Sequence, residues 1–117
     1  MHSGKAGTDF VGNLVKTFVY TQLIPYIELA GDWSIFHVRA DQRYEIDLLL
    51  EHESGRKVAI EIKSSDKVSK TDFKNIEWFK QVNAGAPIQG VVLYCGNEVQ
   101  EYDNGNVALP IAKFWMD

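Results

Sequence analysis

The sequence predicts an α/β domain in which a mixed sheet is flanked by helices, in the order α-β-β-β-α-β. Three observations carry this. Apolar residues at helical spacing open the chain, and three strand-like runs joined by two short polar connections follow. After a second helical pattern comes a nearly continuous apolar run, Val91-Val92-Leu93-Tyr94-Cys95. A chain of 117 residues and 13.3 kDa has room for one core and not for two. Its 45% hydrophobic and 24% charged residues argue against a disordered, collagen-like or coiled-coil chain.

Residues 1–8 read as a flexible leader, and residues 9–117 as one domain. From Asp9, the positions Phe10, Val11, Leu14, Val15, Phe18 and Val19 recur at spacings of three and four, which predicts a helix to about Ile24. Pro25 is expected to break or kink it, with a further turn to Leu29 before Gly31. Trp33 to Arg39, Arg43 to Glu51 and Arg56 to Ser64 are strand-like, and their short connections predict an antiparallel meander. Ser69 with Asp72 resembles a capping box, and Phe73, Ile76 and Phe79 line the helix that Gly85 and Pro87 close. Gln89 to Cys95 reads as a strand covered on both faces, reached by a helical crossover. A weak strand at Glu98 to Tyr102, a strand at Val107 to Leu109, and a short helix from Pro110 to Trp115 complete the chain.

Charge and cysteine content narrow the classes. Met1 to Asp9 has no apolar h-region, and polar residues interrupt the stretch from Phe10 to Ala30, so neither a signal peptide nor a transmembrane helix is expected. Cys95 is the single cysteine, which excludes an intrachain disulfide and a thiolate zinc cluster and points to the cytoplasm. The net charge of −4 disfavours a non-specific nucleic-acid coat. Arg56 to Lys80 nevertheless holds seven basic and four acidic residues, which allows a local polyanion-binding face as well as a solvated one. The Ser3-Gly4-Lys5-Ala6 string fails as a phosphate loop, because Ala follows the lysine and no strand precedes it.

The informative residues lie on the second and third strands. Strand alternation would place Glu45, Asp47, Leu49 and Glu51 on one face, opposite Tyr44, Ile46, Leu48 and Leu50. On the next strand Ala59, Glu61 and Lys63 share a face, and a tight meander would bring Asp47 beside Glu61 and Lys63. Two carboxylates suit Mg²⁺ or Mn²⁺, which lowers the pKa of a bound water, and a lysine can orient that water. The same residues also describe any half-exposed strand pair, worth about 0.2–1 kcal/mol for a cross-strand ion pair. Arg39 can contact phosphate or pair with Glu45, the pair being favoured. His37 reads as a hydrogen-bonded structural residue. Tyr44, Trp78, Tyr94 and Trp115 read as core or rim aromatics, and Cys95 as a small apolar residue. Lys67, Lys70 and Lys74 surround the second helix start, where phosphate gripping and plain solvation are equal alternatives.

In this order of elements, with Asp47 isolated and Glu61-Ile62-Lys63 as an ExK element, the chain resembles the PD-(D/E)xK, or restriction-endonuclease-like, superfamily. More closely, it resembles a C-terminal domain of unknown function that follows an AAA-type ATPase module in many bacterial and archaeal chains. The matching residues include Leu14-Val15, Thr17-Phe18-Val19, Phe36-His37 with Arg39, Glu45-Ile46-Asp47 and Ile60 to Ser65. Asp72-Phe73, Gly90 to Tyr94 and Ala108-Leu109-Pro110 also match, so the resemblance runs from Gly12 to Trp115.

The resemblance implies a restriction-endonuclease-like core, with Asp47, Glu61 and Lys63 as the catalytic set and Asp47 and Glu61 as metal ligands. One position departs from it. Lys16 stands where the first helix of this family usually carries a glutamate that assists metal binding. An ammonium there would attract both carboxylates and repel a divalent cation, and Asp9 is a poor replacement ligand. The expected function is a nuclease-like accessory domain of a prokaryotic AAA-type ATPase protein, degenerate at its site and serving in DNA or partner docking. The alternative is an active Mg²⁺- or Mn²⁺-dependent DNA endonuclease.

Overall fold

The computed structural model describes residues 3–114, with side chains for residues 11–113. The side chain of Asp9, the first two residues of the leader, and Trp115 lie outside the described residues. Helix α1 spans Ser3–Ala30, so it begins within the segment expected as a leader. It also continues through Pro25 without interruption, so of the expected break or kink the break does not occur. A proline inside a helix forfeits a backbone bond and costs about 3 kcal/mol in isolation. Here Val19 and Ile27, on either side, are buried against the sheet and hold the helix in one piece. It stops at Gly31, whose φ of 83° is the left-handed conformation that terminates helices. Among the described residues, no helix is long and apolar enough to cross a membrane.

Three antiparallel strands follow, as the short connections predict: β1 (Trp33–Ala40), β2 (Tyr44–His52) and β3 (Lys57–Ile62). Asp41 and Gln42 both take positive φ, 55° and 59°, in the tight turn between β1 and β2. A 3-10 turn at Lys70–Phe73 leads into α2 (Lys74–Val82). The expected cap is present in part through the Asp72 carboxylate, which accepts the Ser69 N–H at 2.7 Å. Helix α2 crosses over to β4 (Ile88–Tyr94), which pairs in parallel with β3. The two-residue strand β5 (Gln100–Glu101) and β6 (Val107–Pro110) complete a six-stranded mixed sheet in the order β1-β2-β3-β4-β6-β5. The helix expected from Pro110 is instead a 3-10 turn at Ile111–Phe114. Cys95 falls just past β4 and is exposed, contrary to the buried position expected.

The sheet divides the interior into two apolar layers. Under α1, Val19 and Ile27 pack on Leu48, Leu50, Ile60, Ile62, Val91 and Leu93. Under α2, Phe73, Ile76 and Phe79 pack on Ile46, Leu49, Ala59, Val92 and Tyr94. Gly90 lets α2 approach closely, since an added Cβ would overlap the Asn106 carboxamide and lie 2.6 Å from Ile76 Cγ2.

One departure from regular alternation shapes the site. Phe36 pairs with Leu49, but Val38 pairs with Ile46, so His37 alone faces both Asp47 and Leu48. This β-bulge inserts one extra residue into β2 and re-aims its side chains. It corrects the expected faces: Ile46 joins Leu49 under α2, whereas Leu48 and Leu50 lie under α1. The paired residues of β2 and β3 extend only to Leu48 and Ile60, so the strands part at the level of Asp47 and Glu61.

Candidate functional site

The bulge places Asp47 at the point where β2 and β3 separate, and there side chains take over the hydrogen bonding. The Asp47 N–H donates to Glu61 Oε1 at 2.9 Å, and the Ile62 N–H donates to Asp47 Oδ2 at 2.8 Å. Two backbone donors that would otherwise lack a ladder partner are thereby satisfied by carboxylates. Asp47 is 6% exposed. Asn75 on α2 donates to Glu61 Oε2 at 3.1 Å, and its own Oδ1 is buried without a hydrogen-bond partner.

Helix α1 closes the site from the other face. Lys16 Nζ lies 3.0 Å from Asp47 Oδ1, the ion pair expected for a lysine at this position. One turn later, the Tyr20 hydroxyl donates to the Asp47 carbonyl at 2.9 Å. Residues four apart share a helix face, so a single stripe of α1 grips both the side chain and the backbone of Asp47. Burial would lower the pKa of Lys16, but its hydrogen bond to Asp47 and the charge of that carboxylate outweigh this and raise it. Glu61 responds in the opposite sense to an ordinary ion-paired acid. Burial and the neighbouring Asp47 charge push its carboxyl up from 4.5 to about 7.

Lys63 does not join the two carboxylates. Its ammonium sits 2.7 Å from Asp72 Oδ2, the same oxygen that accepts the Ser69 N–H at the turn before α2. The capping carboxylate thus competes for the lysine that the ExK spacing assigns to the site. His37 Nε2 and Arg39 both reach Glu45 Oε2, at 3.1 and 3.2 Å, so the expected Arg39–Glu45 pair is present. His37 Nδ1 also lies 3.4 Å from the Asp47 carbonyl. These outer pairs are well exposed, and such pairs contribute about 0–1 kcal/mol. Lys67, Lys70 and Lys74 are exposed, and Lys70 makes only a 3.7 Å approach to Asp103.

Beside Asn75 opens a cleft of about 210 Å³ lined by Arg39, Gln42, Arg43, Tyr44 and Glu45 as well. Tyr44 stacks on Trp78 with ring centroids 4.6 Å apart, and the Arg43 guanidinium lies 5.6 Å from the Tyr44 ring centre. These aromatics are the half-buried rim residues that the sequence suggests.

A hard divalent cation needs open carboxylate oxygens. Each of the four oxygens of Asp47 and Glu61 accepts one donor from the protein, which leaves a lone pair on each. The donor on Asp47 Oδ1, however, is the Lys16 ammonium, whose charge opposes a divalent cation there. Among the described residues, no group of three or more His, Cys, Asp or Glu side chains is arranged to hold a metal. As arranged, the donor set does not fit Mg²⁺ or Mn²⁺ unless Lys16 is displaced. What it can do is tie α1, β2, β3 and α2 together through one buried charge cluster. Sequence reasoning found Asp47, Glu61 and Lys16, but missed Tyr20 and Asn75. Tyr20 had a usable signal, its four-residue spacing from Lys16. For Asn75 there was none, because only the packing of α2 brings it to Glu61.

No curated protein and no solved structure matches this chain. One family model does match, described as "Domain of unknown function (DUF4143)", over residues 11–114, from within α1 to the last 3-10 turn. A match over nearly the whole chain assigns the family, and the chain belongs to the DUF4143 domain family.

Proposed function

We propose that this domain is a nuclease-like accessory module of a prokaryotic AAA-type ATPase protein, degenerate at its carboxylate pair and used for docking rather than cutting. The observation that carries this reading is the Lys16 ammonium 3.0 Å from Asp47 Oδ1, where a metal-dependent nuclease would need an open ligand. The order of elements and the Asp47/Glu61-Ile62-Lys63 series support the nuclease-like ancestry by resemblance alone. The diversion of Lys63 to Asp72 favours loss of cleavage, since a lysine held there orients no water at the carboxylates. Docking, on DNA or on a partner chain, would use the cleft beside Asn75, with its two arginines and its Tyr44–Trp78 stack. The ATPase partner rests on resemblance, because this chain carries no phosphate-loop motif.

Mn²⁺ calorimetry on the chain, Lys16→Glu and Asp47→Ala, together with plasmid nicking, tests the reading. The expected result is no binding and no nicking by the chain itself, with Mn²⁺ binding gained in Lys16→Glu. Mn²⁺ binding by the unaltered chain that is lost in Asp47→Ala, accompanied by nicking, would overturn it in favour of an active endonuclease.

A further inference from the structure

The two edges of the sheet are unequal. One ends in β5, only two residues long, whereas the other is the eight-residue β1, Trp-Ser-Ile-Phe-His-Val-Arg-Ala. Natural edge strands are blunted by shortness, lysine, proline or a bulge of their own. Strand β1 contains no lysine, proline or glycine, and the bulge beside it lies in β2. No described residue pairs with its outer side. Phe36, in its middle, is 46% exposed.

The backbone directions follow from one bond. The Glu53 N–H donates to the Asp32 carbonyl, so Asp32 turns its polar groups toward β2. Antiparallel alternation then directs Ser34 and Phe36 toward β2, and Trp33, Ile35, His37 and Arg39 toward the open edge.

We propose that this edge pairs with β1 of a second copy of the chain, forming a twofold dimer with one sheet continuous across both. This goes beyond the proposed function and does not depend on it. A twofold axis normal to the sheet requires each residue to face one of the same parity. The register centred on Phe36 satisfies this and uses almost the whole strand. It sets Trp33 opposite Arg39 and Ile35 opposite His37, all residues whose backbone groups face outward. It also sets Arg39, 67% exposed and paired with Glu45 across β2 within one copy, directly opposite Trp33 of the other copy, whose ring packs edge-on against His52. A turn of the guanidinium from the exposed Glu45 pair to the indole would make a cation–π pairing twice. Phe36 then faces its own counterpart across the axis, so the exposed aromatic is covered by itself. A strand that carries both halves of each pairing is complementary to its own copy.

The test is sedimentation of the chain up to about 1 mM, a range that captures small, weak interfaces. Twice the 13.3 kDa mass is expected at the upper concentrations, and Phe36→Lys, exposed enough to fold, should sediment at 13.3 kDa throughout. The register is tested by Phe36→Cys in a Cys95→Ser background. Cysteines in a non-hydrogen-bonded antiparallel pair, with Cα atoms about 4.5 Å apart, can form a disulfide. Oxidised dimer is therefore expected from Phe36→Cys and not from Ser34→Cys, which would face Val38. A monomer at all concentrations overturns the proposal and leaves the edge to a strand from a different chain. Dimer retained in Phe36→Lys, or crosslinking by Ser34→Cys alone, overturns it equally.

Discussion

Glu61 should make this fold weaker as pH rises through neutrality, and Glu61→Gln should abolish that dependence. The carboxyl moves from 4.5 to about 7 on folding, through burial first and the Asp47 charge second. Between those values the folded chain holds a proton that the unfolded chain has released. Stability from this group is thus complete below pH 4.5 and falls as pH rises through about 7. At about 1.4 kcal/mol per unit, the loss amounts to roughly 3 kcal/mol, a large part of the 5–15 kcal/mol typical of a domain. Glutamine does not titrate and still accepts the Asp47 N–H. Its amide would meet Asn75 Nδ2, but the partnerless Asn75 Oδ1 allows that side chain to flip and accept from it. Urea unfolding followed by tryptophan fluorescence, from about pH 4 to about pH 8.5, reads the difference. The stability of Glu61→Gln relative to the parent should climb by about 3 kcal/mol across that range. Parallel curves, within about 0.5 kcal/mol at every pH, would refute the reasoning.

Two further perturbations follow from the same geometry. Lys16→Met keeps the aliphatic stem on the sheet but leaves the Asp47 carboxylate, 7% exposed, without its cation. A fully buried broken pair costs about 3–5 kcal/mol, and since Lys16 is 38% exposed, about 1–2 kcal/mol is expected in urea unfolding at neutral pH. An unchanged midpoint would mean that the ion pair is fully screened. Gly90→Ala should cost about 1–3 kcal/mol by forcing Asn106 and Ile76 off α2's closest approach, and a thermal melt within a degree or two of the parent would contradict that.

The arrangement of elements was legible because it rests on local periodicity. The three- and four-residue spacing in α1, the polar breaks at Ala40-Asp41-Gln42 and His52 to Gly55, and the apolar run of β4 each report burial directly. Asp47, Glu61 and Lys16 could be singled out for the same reason: a charge among aliphatic residues on a strand, or on the apolar helix facing it, is informative. Three features could not be read this way. Pro25 carries a breaking signal, yet Val19 and Ile27, packed on the sheet, override it. The bulge at His37 opposite Asp47 and Leu48 leaves no mark in β2, whose residues alternate acceptably in either register. The partner of Lys63 depends on whether Asp72 or the carboxylate pair lies within reach, and only the packed turn ahead of α2 decides for Asp72.

By itself, then, the sequence determined the layers of this protein and the charges buried between them, because periodicity and hydrophobicity are properties of neighbouring residues. The tertiary structure decided which charges meet. The parting of β2 from β3, the stripe of α1 laid across Asp47, and the Asn75 amide at Glu61 each depend on backbones brought together from distant parts of the chain. A shift of one residue in strand register turns a side chain to the other face, and no local pattern records that choice.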